Sequence, residues 1–210
     1  MTSFGDAVAS LRRQLVALGG APDDGAVLDR FLALLDERPR AFERDEFRDG
    51  HLTGSAWLVS ADGERVLLTH HRKLGRWLQP GGHADGDPDL GRVALREATE
   101  ESGIAGLTLE PGIFDIDRHA IPARATEPGN FHYDVRYVVH AADERYVVSA
   151  ESYDLAWRPI AELVTAPEVD EAVHRMARSW LARRRQEGDT QRGNEVAPYP
   201  RSPDLRGGLP

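Results

Sequence analysis

The stretch Arg96-Glu97-Ala98-Thr99-Glu100-Glu101-Ser102-Gly103-Ile104 constrains this chain more than any other. Read as a helix, it sets Glu97, Glu100 and Glu101 at i, i+3 and i+4, so their side chains project from one face. Three anions packed this closely repel one another, and the repulsion opposes the helix in isolation. A hard cation such as Mg2+ removes the conflict. It takes oxygen ligands and is usually held by one or two carboxylates together with substrate phosphates. The pattern points to a metal site built for a phosphorylated ligand.

The residues in front of this helix fit that reading. Leu78-Gln79-Pro80-Gly81-Gly82-His83-Ala84-Asp85-Gly86-Asp87-Pro88 reads as a loop rich in glycine and aspartate. Glycine lets a backbone approach a ligand closely. Asp87 or Asp89 caps the helix, with Pro88 preset for its first turn. Gly103 stands where a helix stops on a left-handed residue. The unit is a strand, a glycine loop, a carboxylate helix and a glycine stop.

This unit resembles the Nudix box, G-x5-E-x7-R-E-U-x-E-E-x-G-U, where U is a bulky aliphatic residue. Gly82, Arg96, Glu97, Glu100, Glu101, Gly103 and Ile104 match their positions across the 23 residues from Gly82 to Ile104. Pro88 stands where the first glutamate belongs, and Ala98 where a larger aliphatic is usual. The resemblance implies an α/β fold, the Nudix α/β/α sandwich with a mixed β-sheet between helices. It implies hydrolysis of the pyrophosphate link of a nucleoside diphosphate derivative by water attack at phosphorus. Mg2+, or Mn2+, is the implied cofactor, a Lewis acid on phosphoryl oxygens and an activator of water.

Carried over position by position, Glu100 and Glu101 are metal ligands, and Glu97 is a ligand or the base that deprotonates water. The Gly82 carbonyl is a further ligand, and Arg96 holds the glutamates in place. Glu151 lies six residues before Trp157, where many Nudix proteins carry a distal acid that serves as ligand or catalytic base. Glu144 and Asp154 are alternatives to it. Pro88 removes a partner of the family's arginine, for which Asp85, Asp87 and Asp89 are nearby substitutes. The same departure keeps a second reading open, a Nudix-fold nucleotide-binding module or regulator with little turnover.

Substrate contacts are expected around this site. His83 follows Gly82 directly. His132, Asp134 and Arg136 share one face of a strand and contact substrate if that face lines the cleft; otherwise they are ordinary polar alternation. Arg72, with Lys73 and Arg76, offers positive charge to phosphates or forms a solvated turn. Trp77 either stacks on a ring of the substrate or serves the core.

Along the chain, residues 3–19 and 24–37 have helical apolar spacing, the first ending at Gly19-Gly20 and the second before Pro39. Residues 52–59 and 65–70 flank Ala61-Asp62-Gly63, a hairpin signal. Residues 108–116 predict one strand. Residues 130–139 predict a stronger one, alternating Phe131, Tyr133, Val135 and Tyr137 against the polar set. Residues 155–159 predict a short strand, and 167–185 a last helix. The expected organisation is an N-terminal helical extension over 1–48 packing on the core, a catalytic domain over 49–185 and a flexible tail over 186–210.

The net charge of −9 disfavours nucleic acid polymers as partners. It leaves small-molecule diphosphates open, because a bound metal reverses the local sign. The absence of cysteine excludes disulfides and thiolate chemistry. No apolar run approaches a membrane span, and the N-terminus has no secretory pattern, so a cytoplasmic location is expected. A homodimer is within the expectation, since dimers are common among proteins of this kind.

Overall fold

A computed structural model of the chain describes residues 3–18, 25–47, 49–72, 75–123, 128–148 and 152–194. Glu151, Lys73, Gly19-Gly20 and the tail beyond 194 lie outside the described residues. Two helices come first, α1 (Phe4–Leu18) and α2 (Gly25–Glu37). The strands β1 (His51–Val59), β2 (Arg65–His71), β3 (Arg76–Leu78) and β4 (Gly81–His83) follow, and then the carboxylate helix α3 (Leu90–Ser102). The chain continues through β5 (Thr108–Leu109), β6 (Asp115–Ile121), β7 (Asn130–His140), β8 (Ser152–Pro159), α4 (Ile160–Leu163) and α5 (Glu171–Asn194).

The sheet is mixed and built around β1, which is buried along its whole length. β1 runs parallel to β7, from the pair His51–His132 to Val59–His140. Its other edge is shared. Val59 meets Val66 of β2, while Thr53, Gly54 and Ser55 pair with His83, Gly82 and Gly81 of β4. β1 therefore leaves β2 where β4 begins, and the split opens the sheet at the glycine loop. β6 and β5 pair with β7, and β8 and β3 pair with β2.

Strand alternation divides the core in two. Leu52, Ala56 and Leu58 of β1 join Tyr133, Val135 and Tyr137 of β7 beneath Leu90, Val93, Ala94 and Ala98 of α3. Leu11, Leu15, Phe31 and Leu34 complete this layer, so α1 and α2 pack on the core. On the opposite face Trp57, Val59, Val66, Leu68 and Val138 meet Ile160, Leu163, Val173, Met176 and Trp180 from α4 and α5. Helices thus cover both faces, the expected α/β/α sandwich. Among the described residues no helix is long and apolar enough to cross a membrane.

The contact of α3 with β1 depends on Gly54. A methyl group there would lie 2.7 Å from the Leu90 carbonyl oxygen and 3.1 Å from Val93 Cβ. Backbone cannot yield as a side chain can, so Gly54→Ala is expected to cost about 1–3 kcal/mol. Urea unfolding of the two proteins measures it.

Four sequence expectations need correction. The strand over 108–116 is broken: Leu109 faces Val139 and Asp115 faces Arg136, so six steps of chain run opposite three of β7. The excess loops out at Pro111-Gly112, where Gly112 has φ +94°. The loop over 78–88 contains the strand β4. Pro88 lies outside the first turn of α3, which starts at Leu90 behind the cap residue Asp89. The last helix begins at Glu171 and runs to Asn194. Asp170 accepts the Val173 N–H at 3.0 Å at its start, and an Arg183–Glu187 i,i+4 pair supports its later turns.

Candidate functional site

Both ends of α3 are fixed by local chemistry. The Asp89 side chain accepts the Arg92 N–H, and Gly103 closes the helix at φ +66° with its N–H on the Thr99 carbonyl. The helix buries Leu90, Val93, Ala94, Ala98 and also Glu101. Ala98 is fully enclosed, so a small residue fits where a larger aliphatic is usual.

The three glutamates have different surroundings. Glu101 is 8% exposed, and its Oε1 accepts the Gly81 N–H at 2.8 Å. Glu97 faces Gly82 so closely that a methyl on Gly82 would lie 2.5 Å from its Cδ and Oε2. Glu100 is exposed to solvent. Arg96 bridges helix and loop, with Nη2 donating to Glu97 Oε1 at 2.7 Å and to the His83 carbonyl at 3.0 Å. Glu97 and Glu101 thus both meet the glycine backbone of β4, and carboxylate oxygens are the donors a hard divalent cation takes.

Pro88 leaves the loop braced by other means. Asp85 pairs with Arg44 at 2.5 and 2.6 Å, and Asp87 pairs with Arg92 at 2.5 and 2.8 Å. Asp85 thus holds Arg44, while Asp87 and Asp89 both hold Arg92, one at its guanidinium and the other at its backbone N–H.

The polar face of β7 is not a solvent face. Asp134 and Arg136 are each 2% exposed and lie beneath the surface. Asp134 accepts from Thr53 Oγ1 at 2.9 Å, Ser55 Oγ at 2.7 Å, Gln79 Nε2 at 3.2 Å and Arg136 Nε at 2.7 Å. Arg136 also reaches Asp115 at 2.7 Å and Asp117 at 3.2 Å, and Arg175 of α5 pairs with Asp115. Thr53, Ser55, Asp115, Asp117 and Arg175 were not singled out from sequence. The period-two run His51, Thr53, Ser55 within an otherwise apolar β1 was the available signal.

Burial alone would push the Asp117 carboxyl up, but the His119 ring and the Arg136 and Arg175 guanidiniums outweigh it and hold it down to about 2. A depressed carboxyl stabilises the fold above its unfolded value near 3.8, and that contribution is lost as pH falls toward 2. Asp117→Asn is expected to flatten the acid limb of the stability curve between pH 4 and 2. With solvent screening, it should also cost about 1–2 kcal/mol at neutral pH. Urea midpoints across pH measure both effects.

His132 stands next to His51 on β1 and His83 on β4, with ring centroids 4.8 and 5.1 Å away. Burial, followed by the neighbouring His51, His83 and His119, holds the His132 ring down to about 3. Burial likewise lowers His51. Arg72 donates to the Ser152 carbonyl at 2.8 Å and lies over the Tyr153 ring. Trp77 packs at the edge of the second core and stacks on His70 at 5.1 Å. Of the alternatives to Glu151, Glu144 pairs with Arg65 at 2.6 Å, and Asp154 accepts the Leu155 N–H at 2.9 Å.

A family model, the NUDIX domain, matches residues 51–181. No curated protein matches the chain at the sequence level. Among solved structures, a hydrolase of the NUDIX family from Clostridium perfringens is similar at 24% identity and TM-score 0.50, covering 63% of this chain and 96% of its own. An Ap4A hydrolase from C. elegans is similar at 16% identity and TM-score 0.51, covering 64% and 98%. At these identities the likeness is one of fold.

Proposed function

Because this chain belongs to the NUDIX domain family, we propose that it is a divalent-metal-dependent hydrolase that cleaves the pyrophosphate link of a nucleoside diphosphate derivative. The observation that carries this reading is the closure of the glycine loop on the carboxylate helix. Glu97 fills the space a side chain on Gly82 would need, and Glu101 takes the Gly81 N–H. Two carboxylates of α3 are thus held against the Gly81-Gly82 backbone.

In this reading Glu97, Glu100, Glu101 and the Gly82 carbonyl hold Mg2+ or Mn2+. The cation, when bound, supplies Lewis-acid polarisation of phosphoryl oxygens and lowers the pKa of water. Arg96 is a positioning residue: it ties Glu97 to the His83 carbonyl and so fixes the carboxylate against the loop. Glu97 orients the attacking water and takes its proton, with Glu151 the other candidate for that task. Arg72 and Trp77 are the proposed contacts for phosphate and ring. The catalytic unit is assigned to 49–185 and the helical extension to 1–48.

Pro88 favours a second reading, a nucleotide-binding module with little turnover. Incubation with ADP-ribose, dinucleoside polyphosphates, NADH, sugar nucleotides and oxidised nucleoside triphosphates separates the two. Each is run with Mg2+, with Mn2+ and with chelator, and products are identified by mass. Cleavage that chelator abolishes is expected. Tight binding of one compound, seen as thermal stabilisation without cleavage, would overturn the hydrolase reading in favour of the binding module.

A further inference from the structure

We propose that His51, His83 and His132 form a second metal site, for a divalent transition ion of the zinc class, separate from the carboxylate site. Among the described residues, these three make up the group whose ligand nitrogens all lie within 4.8 Å of one another. They come from three strands, β1, β4 and β7. Sheet register places His51 beside His132 and Thr53 beside His83. The cluster therefore sits on the sheet face that carries Thr53, Ser55 and Asp134, away from the apolar packing of α3.

His51 supplies an independent observation. It is 1% exposed, and its Nδ1 lies 3.1 Å from the Glu46 carbonyl oxygen. A carbonyl only accepts, so Nδ1 carries the proton and Nε2 presents a lone pair. That Nε2 is buried with no hydrogen-bond partner. Such an orphan costs about 1–3 kcal/mol and calls for an explanation. A backbone carbonyl on one ring nitrogen, fixing the other toward an ion, is the usual support of a metal-binding histidine.

Donor chemistry separates this site from the glutamates. Imidazole suits zinc, cobalt, nickel and copper, whereas Mg2+ demands oxygen. Zn–N bonds of about 2.0–2.1 Å in tetrahedral geometry would bring ligand nitrogens to about 3.3 Å apart, within the 4.8 Å that bounds the cluster. Three protein ligands would leave a fourth position for water. An ion here would tie β4, which carries Gly82, to β1 and β7. His83 and His132, read from sequence as substrate contacts, are thereby assigned to a metal. The inference stands independently of the proposed hydrolysis.

The test is titration of the full chain with Co2+ in excess Mg2+, read by the visible absorption of four-coordinate cobalt and by Zn2+ displacement. One Co2+ per chain is expected, released by Zn2+. His83→Ala and His132→Ala should each weaken binding at least tenfold, and Glu101→Gln should leave it unchanged. His51→Ala removes a buried ring, so circular dichroism accompanies it and His83→Ala, on a half-exposed strand, carries the test. Absence of cobalt absorption in the wild type would overturn the site. So would wild-type affinity in His83→Ala, or loss of binding in Glu101→Gln.

Discussion

Glu101→Gln is expected to lower Mg2+-dependent turnover by about 100-fold or more, at least about 2.7 kcal/mol of barrier, while the chain stays folded. Glutamine keeps the size of the side chain and an oxygen that can accept the Gly81 N–H, so the link from helix to loop survives. It loses the negative charge that draws the cation. It also removes one of three like charges on the face of α3 and replaces a buried carboxylate with a neutral amide. Without metal, the variant should therefore melt at or above the wild-type temperature. The loss should appear in kcat at saturating Mg2+ and as a weakened Mg2+ dependence. Wild-type turnover in the variant would remove Glu101 from the proposed ligand set.

The largest expected loss of stability comes from Arg136→Met. Methionine approximates the buried stem of arginine but leaves Asp134 without its charged partner. Burial pushes the Asp134 carboxyl up, and Arg136 with Ser55 brings it below its ordinary value. Asp115 keeps Arg175, so the damage centres on Asp134. Breaking one side of a buried pair costs about 3–5 kcal/mol, a large part of the stability of a typical domain. Urea unfolding near neutral pH should show this loss. Adding Asp134→Leu should recover much of it, because the stranded charge is then gone. A single variant within about 0.5 kcal/mol of wild type would mean that the network contributes little.

Sequence and structure agree best where the governing rule is local. Glu97, Glu100 and Glu101 share a face because helix geometry fixes the i, i+3, i+4 relation, and Gly103 ends the helix because only a left-handed residue closes it there. Tyr133, Val135 and Tyr137 alternate into the core as a strand must. Three-residue strands such as β3 and β4 carry no readable period, so the sequence over β4 reads as loop. Alternation along β7 separated Asp134 and Arg136 from the apolar set but did not show that their face is covered. That depends on Asp115 and Asp117 of β6 and Arg175 of α5, all distant in sequence. The histidine cluster is harder still, since residues 51, 83 and 132 meet only through the registers of β1 with β4 and β7. Pro88 is legible as a departure, and Asp85, Asp87 and Asp89 as nearby acids, but their partners are not: Asp85 takes Arg44 from outside the box, and Asp87 and Asp89 both take Arg92.

The most direct test of the central claim is hydrolysis of the diphosphate panel in H2(18)O with Mg2+, with products read by mass. The account predicts one (18)O in a phosphoryl product of the cleaved compound, formed only with metal and lost in Glu101→Gln. Cleavage that persists in chelator, cleavage that leaves the phosphoryl products unlabelled, or no cleavage of any member would contradict it.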